Sequence, residues 1–161
     1  MHTLSPALKK SMIGMISLLL PITSLIAAER IGDFALLDQN GAFHQLSWYG
    51  DHKAVVLLTQ ANGCEATRAA VPAYKSLQAR FDAQGLEFML INPEGANREL
   101  VQQEISALGL DMPVLMDDSQ LVDERLGIEQ TGDVIVIDLI YETSDSYITM
   151  STVSDTEWVG F

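Results

Sequence analysis

The chain has one cysteine, Cys64, among its 161 residues. A single thiol cannot close an internal disulfide. In an oxidising compartment it is buried and inert, paired between chains, or reactive. Positive charge is also scarce: nine Lys and Arg stand against 22 Asp and Glu, a formal net charge of −13. That balance excludes nucleic-acid binding by phosphate neutralisation, which needs a basic face, and it disfavours anionic membrane surfaces. A soluble protein kept dispersed by its charge fits better. After residue 29 there is no internal repeat, low-complexity tract or Pro/Ser linker, so one domain is expected over residues 29–161. Chelating spacing is missing too: beyond methionine, the soft ligands of that domain are His44, His52 and Cys64, widely separated. No metal or other cofactor is therefore expected.

The one long apolar run lies at the start. Lys9 and Lys10 precede the uncharged stretch Met12–Ile26, and Ala27-Ala28 offers small residues for cleavage before Glu29-Arg30. This is the pattern of a secretory signal peptide over residues 1–28. The run is shorter than the roughly 20 residues of a spanning helix and is broken by Pro21, which argues against a retained anchor. Both Lys9 and Lys10 would leave with the signal and no acidic residue would, taking the formal charge from −13 to −15. The expected location is outside the inner membrane, in the periplasm, with no stable membrane insertion after cleavage.

Hydrophobic periodicity supplies the elements. Phe34–Asp38 and Ala42–Leu46 around Gln39-Asn40-Gly41 read as a hairpin, the Asn-Gly pair supplying positive φ. Lys53–Thr59 is a continuous β-branched and leucine run, the mark of a strand covered on both faces, and Leu86–Ile91 is a second buried strand. Between them Glu65–Phe81 has helical spacing, with Ala66, Ala70, Tyr74, Leu77 and Phe81 on one side and Gly85 after it. A second helix is predicted over Ala96–Leu108, burying Leu100, Val101, Ile105 and Leu108. Pro113–Met116 is a short strand, and Ser119 could cap a brief helix ending at Leu126 before Gly127. Val134–Ile137 is a core strand, with Ser146–Val153 as an antiparallel partner. Strands alternating with helices imply parallel crossovers and a three-layer α/β sandwich. The eight residues after Val153 are too few for a helix to cover the last edge.

Cys64 falls where the strand and the Asn62-Gly63 turn give way to a helix. Helix N-termini favour a thiolate by about 0.3–1 kcal/mol. Arg68, one turn on, would add to this if its side chain folds back, whereas Glu65 opposes it. Thr67 could donate a hydrogen bond to the sulfur. Pro72, inside the same helix, is read as a tolerated kink. The acids Asp117-Asp118 precede a helix and complement its dipole. Asn92-Pro93-Glu94-Gly95 lies at a strand carboxyl end, where ligands of such sheets gather.

At these residues the chain resembles a family. Ile31-Gly32-Asp33-Phe34 with its hairpin, the Cys64 strand–turn–helix, Pro72, and Gly127-Ile128 through Thr131-Gly132-Asp133 to Asp138 are similar to thioredoxin-fold proteins of the redoxin group. That group includes the alkyl hydroperoxide reductase/thiol-specific antioxidant (peroxiredoxin-like) branch. The resemblance implies a thioredoxin-like α/β/α sandwich with an N-terminal β-hairpin, its C-terminal helix missing or truncated. It also implies thiol chemistry at Cys64, with Thr67 and Arg68 beside it and Asn62, Gly63, Pro72, Thr131 and Gly132 as structural neighbours.

Departures from the family pattern are specific. Dithiol members carry Cys-x-x-Cys, and the second position here is Thr67. Peroxidase members place a Thr or Ser three residues before the cysteine and a Pro further upstream; here these are Ala61 and Leu57. The cis-proline position is Gly132, and the tryptophan often preceding the cysteine is Gly63. Copper-delivery relatives use Cys-x-x-x-Cys with a distant histidine, and neither is present. Two readings follow. One is an exported oxidoreductase using Cys64 alone on a disulfide or hydroperoxide, resolved by an external protein thiol or small thiol reductant. The other is a non-catalytic binding module that docks a redox partner. A homodimer through Cys64 remains an alternative.

Overall fold

The computed structural model describes residues 29–139, 141–142, 145–146 and 148–153. The expected signal segment 1–28, its cleavage point and the tail 154–161 lie outside the described residues.

Among the described residues ten strands and three α-helices follow in order: β1 Glu29–Ile31, β2 Ala35–Asp38, β3 Phe43–Gln45, β4 Ala54–Thr59, α1 Glu65–Phe81, β5 Leu86–Asn92, α2 Arg98–Ala107, β6 Val114–Met116, α3 Leu121–Leu126, β7 Val134–Asp138, β8 Tyr141–Glu142, β9 Asp145–Ser146 and β10 Ile148–Val153. The main sheet has the order β1-β10-β7-β4-β5-β6-β2-β3, and β8 and β9 form a separate two-stranded ladder. β4–β5 and β5–β6 are parallel, as their helical crossovers require. β7 instead runs antiparallel to β4. The six residues of α3 span only about 9 Å. That is too short to carry the chain back across the sheet, so β7 starts at the end where β6 stopped. β10 pairs with β7 antiparallel, as the sequence predicted.

Alternation along β4 separates two cores. Val56 and Leu58 pack with Phe88 and Leu90 of β5 beneath Val71 and Tyr74 of α1 and Val101 and Ile105 of α2. Val55 and Leu57 pack on the opposite face with Met89, Ile91, Ile135 and Ile137 beneath Val122 and Leu126 of α3. The result is the expected three-layer sandwich. The Tyr74 hydroxyl reaches the carbonyls of Val56 and Met89 at 2.7 and 2.6 Å, which ties α1 to two strands. Burial holds this phenol well above its ordinary pKa.

Four local expectations are corrected. The fully buried stripe of α1 is Thr67, Val71 and Tyr74; of the expected positions Tyr74 is at its centre, Ala70, Leu77 and Phe81 pack half-buried against the same core, and Ala66 is exposed. Two adjacent stripes of this helix are apolar, so periodicity alone does not choose between them. Leu100 is 55% exposed, because Val101 and Ile105 occupy the sheet-facing side of α2. Ser119 does not cap α3: Asp117 is fully buried and accepts from the amides of Val122 (2.9 Å) and Asp123 (2.7 Å), while Ser119 donates to it. In the hairpin only Gly41 has positive φ, and Asp38 organises the turn by accepting from the amides of Asn40 and Ala42. Pro72 faces outward and α1 continues through it.

Candidate active site at the Cys64 turn

The parallel strands end on polar residues. β4 runs through Thr59 into Gln60, β5 closes on Asn92, and Asp117 follows β6; all four are buried. Gln60 is the hub. Its amide nitrogen donates to Asn62 Oδ1 at 2.8 Å, and its carbonyl oxygen accepts from Asn92 Nδ2 at 2.6 Å. Asn92 Oδ1 then accepts from the Glu94 amide at 3.0 Å. A satisfied buried network of this kind rigidifies the loops above it, and here those loops are Asn62-Gly63 and Pro93-Glu94.

Cys64 is the N-cap residue of α1, with φ −74° and ψ 129°. Its amide donates to Ala61 O (3.2 Å) and its carbonyl accepts from the Arg68 amide (3.2 Å), so the thiol stands half-exposed on the first turn. Gly63 precedes it at φ +74°, a conformation costly for other L-residues.

The flanking side chains are engaged elsewhere. Thr67 is fully buried, and its hydroxyl oxygen accepts from the Ala61 amide at 3.3 Å. The Arg68 guanidinium lies 3.4 Å from Glu104 of α2 rather than folding onto Cys64. Glu104 also accepts from the Gly63 amide at 2.9 Å. Ala61 and Leu57 are buried and offer no hydroxyl.

From the other side, the loop before β7 closes on α1. Gly132 donates to Thr59 O at 2.9 Å with φ +96°, and a Cβ there would lie 3.3 Å from Ala66 Cβ. Thr131 is half-buried next to it. Beyond Gly132 an apolar groove of about 300 Å³ runs along α1, lined by Ala66, Ala69, Ala70, Ala73, Leu77 and Val134. The structure thus gathers Asn62, Gly63, Cys64, Thr67, Arg68 and Gly132 at one end of the sheet, with Pro72 two turns away on the outer face. His44 and His52 are held elsewhere, by Asp38 and Tyr49, and by Asp51 and Glu87. Among the described residues no group of three or more His, Cys, Asp or Glu side chains could hold a metal, and no helix is long and apolar enough to cross a membrane.

The AhpC/TSA family model matches residues 27–147. The chain belongs to the AhpC/TSA family. Solved structures of similar fold include a hypothetical protein from Sinorhizobium meliloti (26% identity, 75% of this chain and 67% of that one, TM-score 0.62). They also include the peroxidoxin BcpB from Mycobacterium tuberculosis (19% identity, 78% and 84%, TM-score 0.61). A third is a secreted M. tuberculosis disulfide oxidoreductase homologous to E. coli DsbE (18%, 76% and 84%, TM-score 0.59). The fold is thioredoxin-like. No curated protein matches the chain.

The sequence missed Glu104 and Gln60, and read Asn92 only as the start of a loop at the carboxyl end of its strand. The two amides had a readable signal, since each stands at the end of a buried, largely apolar strand run. Glu104 had none: it lies 41 residues from Gly63 and meets it only through the packing of α2.

Proposed function

We propose that the protein is an exported thiol oxidoreductase that uses Cys64 as its only nucleophile. The observation that carries this reading is the half-exposed thiol at the N-cap of α1, at the carboxyl end of a central parallel strand, in a chain of the AhpC/TSA family. On a hydroperoxide, the thiolate attacks the O–O bond, giving a sulfenic acid and releasing the alcohol or water. One external thiol condenses with the sulfenic acid to a mixed disulfide and water, and a second restores Cys64. On a disulfide, attack gives the mixed disulfide directly and expels one thiolate, and an external thiol completes the exchange. Thr67 and Arg68 belong to this site by position, and Thr67 supports the turn. We propose export by residues 1–28, leaving residues 29–161 as the working domain. The signal-like residues 1–28 and the secreted protein of similar fold support a periplasmic setting.

A second reading, a non-catalytic module that docks a redox partner, is favoured by one observation: the groups beside the thiol are committed elsewhere, Thr67 to Ala61 and Arg68 to Glu104. The separating experiment follows Cys64 alkylation against pH in the mature protein, then treats it with stoichiometric hydroperoxide or a model disulfide. Sulfenic acid or a mixed disulfide on Cys64, absent in Cys64→Ser, supports catalysis. A thiol that titrates above about pH 8.5 and forms neither product removes it.

A further inference from the structure

We infer that Glu104 is a positioning residue that sets the reactivity of Cys64 by clamping its turn and holding Arg68 away from the sulfur. The inference rests on Cys64 being the nucleophile proposed above. The two carboxylate oxygens of Glu104 serve different partners. Oε2 accepts from the Gly63 amide at 2.9 Å, and Oε1 accepts from the Arg68 guanidinium at 3.4 Å. These partners flank Cys64, one immediately before it and one four residues after it. Residues four apart on a helix share a face, so Arg68 is within reach of the N-cap thiol as well as of Glu104. The Glu104 side chain is 13% exposed and fixed, whereas Arg68 is 49% exposed and free to change rotamer. Pairing with Glu104 therefore withholds from Cys64 the cation that would stabilise its thiolate.

The other charged residues flanking the turn are acidic: Glu65 on α1, Glu94 after β5, and Glu129 and Asp133 before β7. The remaining cations of α1 and α2 lie away from it: Lys75, three turns along α1, donates to Gly109 O, Arg80 is in the last turn of α1, and Arg98 lies beside Gly41 of the hairpin. Arg68 is then the cation of this frame best placed to aid the thiolate, and its direction decides the local field.

The test measures the Cys64 alkylation rate from pH 5 to 10 in the mature protein, in Glu104→Gln, in Arg68→Ala and in the double variant. Hydrogen exchange at the Gly63 amide is followed in Glu104→Gln and Glu104→Ala. Glutamine keeps an acceptor for Gly63 but releases Arg68. The expected result is about three- to tenfold faster alkylation at pH 7 in Glu104→Gln, from a profile moved toward lower pH by about half a unit to one unit. Arg68→Ala alone should change the rate less than about twofold, and the double variant should return to within about twofold of wild type. The Gly63 amide should stay protected with glutamine and lose protection with alanine. A Glu104→Gln profile superimposable on wild type overturns the inference. So does a double variant that keeps the whole gain, because Glu104 would then act through its own charge. Failure of all four proteins to form sulfenic acid or a mixed disulfide would instead remove the catalytic reading, while the alkylation profiles would still report on Glu104.

Discussion

Asn92→Leu probes what holds the Cys64 turn. Asn92 and Gln60 are both fully buried and joined by a 2.6 Å hydrogen bond. Leucine keeps the branching at Cγ and removes both polar atoms, with some added bulk. The Gln60 carbonyl then loses its partner in a site closed to water, a cost of about 1–3 kcal/mol. The bond from the Glu94 amide is also lost, but Glu94 is exposed and water can replace part of it, adding about 0.5–1 kcal/mol. The total is about 1.5–4 kcal/mol. Replacing both partners, in Gln60→Leu/Asn92→Leu, leaves neither buried amide facing a lost partner; Asn62 Oδ1 loses its donor in both Gln60 variants alike, so that loss cancels in the comparison. The double variant should therefore cost about 1–2 kcal/mol less than the sum of the single ones. Urea unfolding of the mature protein at pH 7 measures each free energy, with the slope checked for constancy. A cost below about 0.5 kcal/mol for Asn92→Leu, or additive single effects, would show that the network does not work as a unit.

Two further outcomes follow from single residues. Gly132→Ala forces a side chain into φ +96° and to within 3.3 Å of Ala66 Cβ, so it should cost about 1–3 kcal/mol and alter the Cys64 alkylation rate; thermal melting and alkylation read the two effects. Asp123 carries a buried oxygen without a hydrogen-bond partner, and burial first, then Asp117 and Glu124, hold its carboxyl above the usual range. Because the folded state binds this proton more tightly than the unfolded chain, stability is lost as pH rises through the folded value. Asp123→Asn should raise Tm at pH 7 by about 1–3 °C, and the gain should vanish below about pH 4 in melts across that range.

Layer order and the location of the thiol are written in the chain's own pattern. Continuous apolar strands alternating with amphipathic helices leave few ways to bury their surface, and Asn62-Gly63 before a helical run places Cys64 on the first turn. Helix α1 was legible to the residue, because Cys64 and the Gly85 turn bracket one unbroken periodic stretch. The buried face of α1 was legible in part: Tyr74 lies at its centre and Ala70, Leu77 and Phe81 pack at its edge, but Thr67 and Val71 were not read as its middle, since alanines line the groove beside them. The reversal of β7 was not legible, because it follows from the reach of α3 in space. The surroundings of Cys64 come from packing between elements distant in sequence. A hydrogen bond between Glu104 and Gly63, or a choice by Arg68 between a thiol and a carboxylate, depends on how α2 packs beside α1, and no local periodicity encodes that distance.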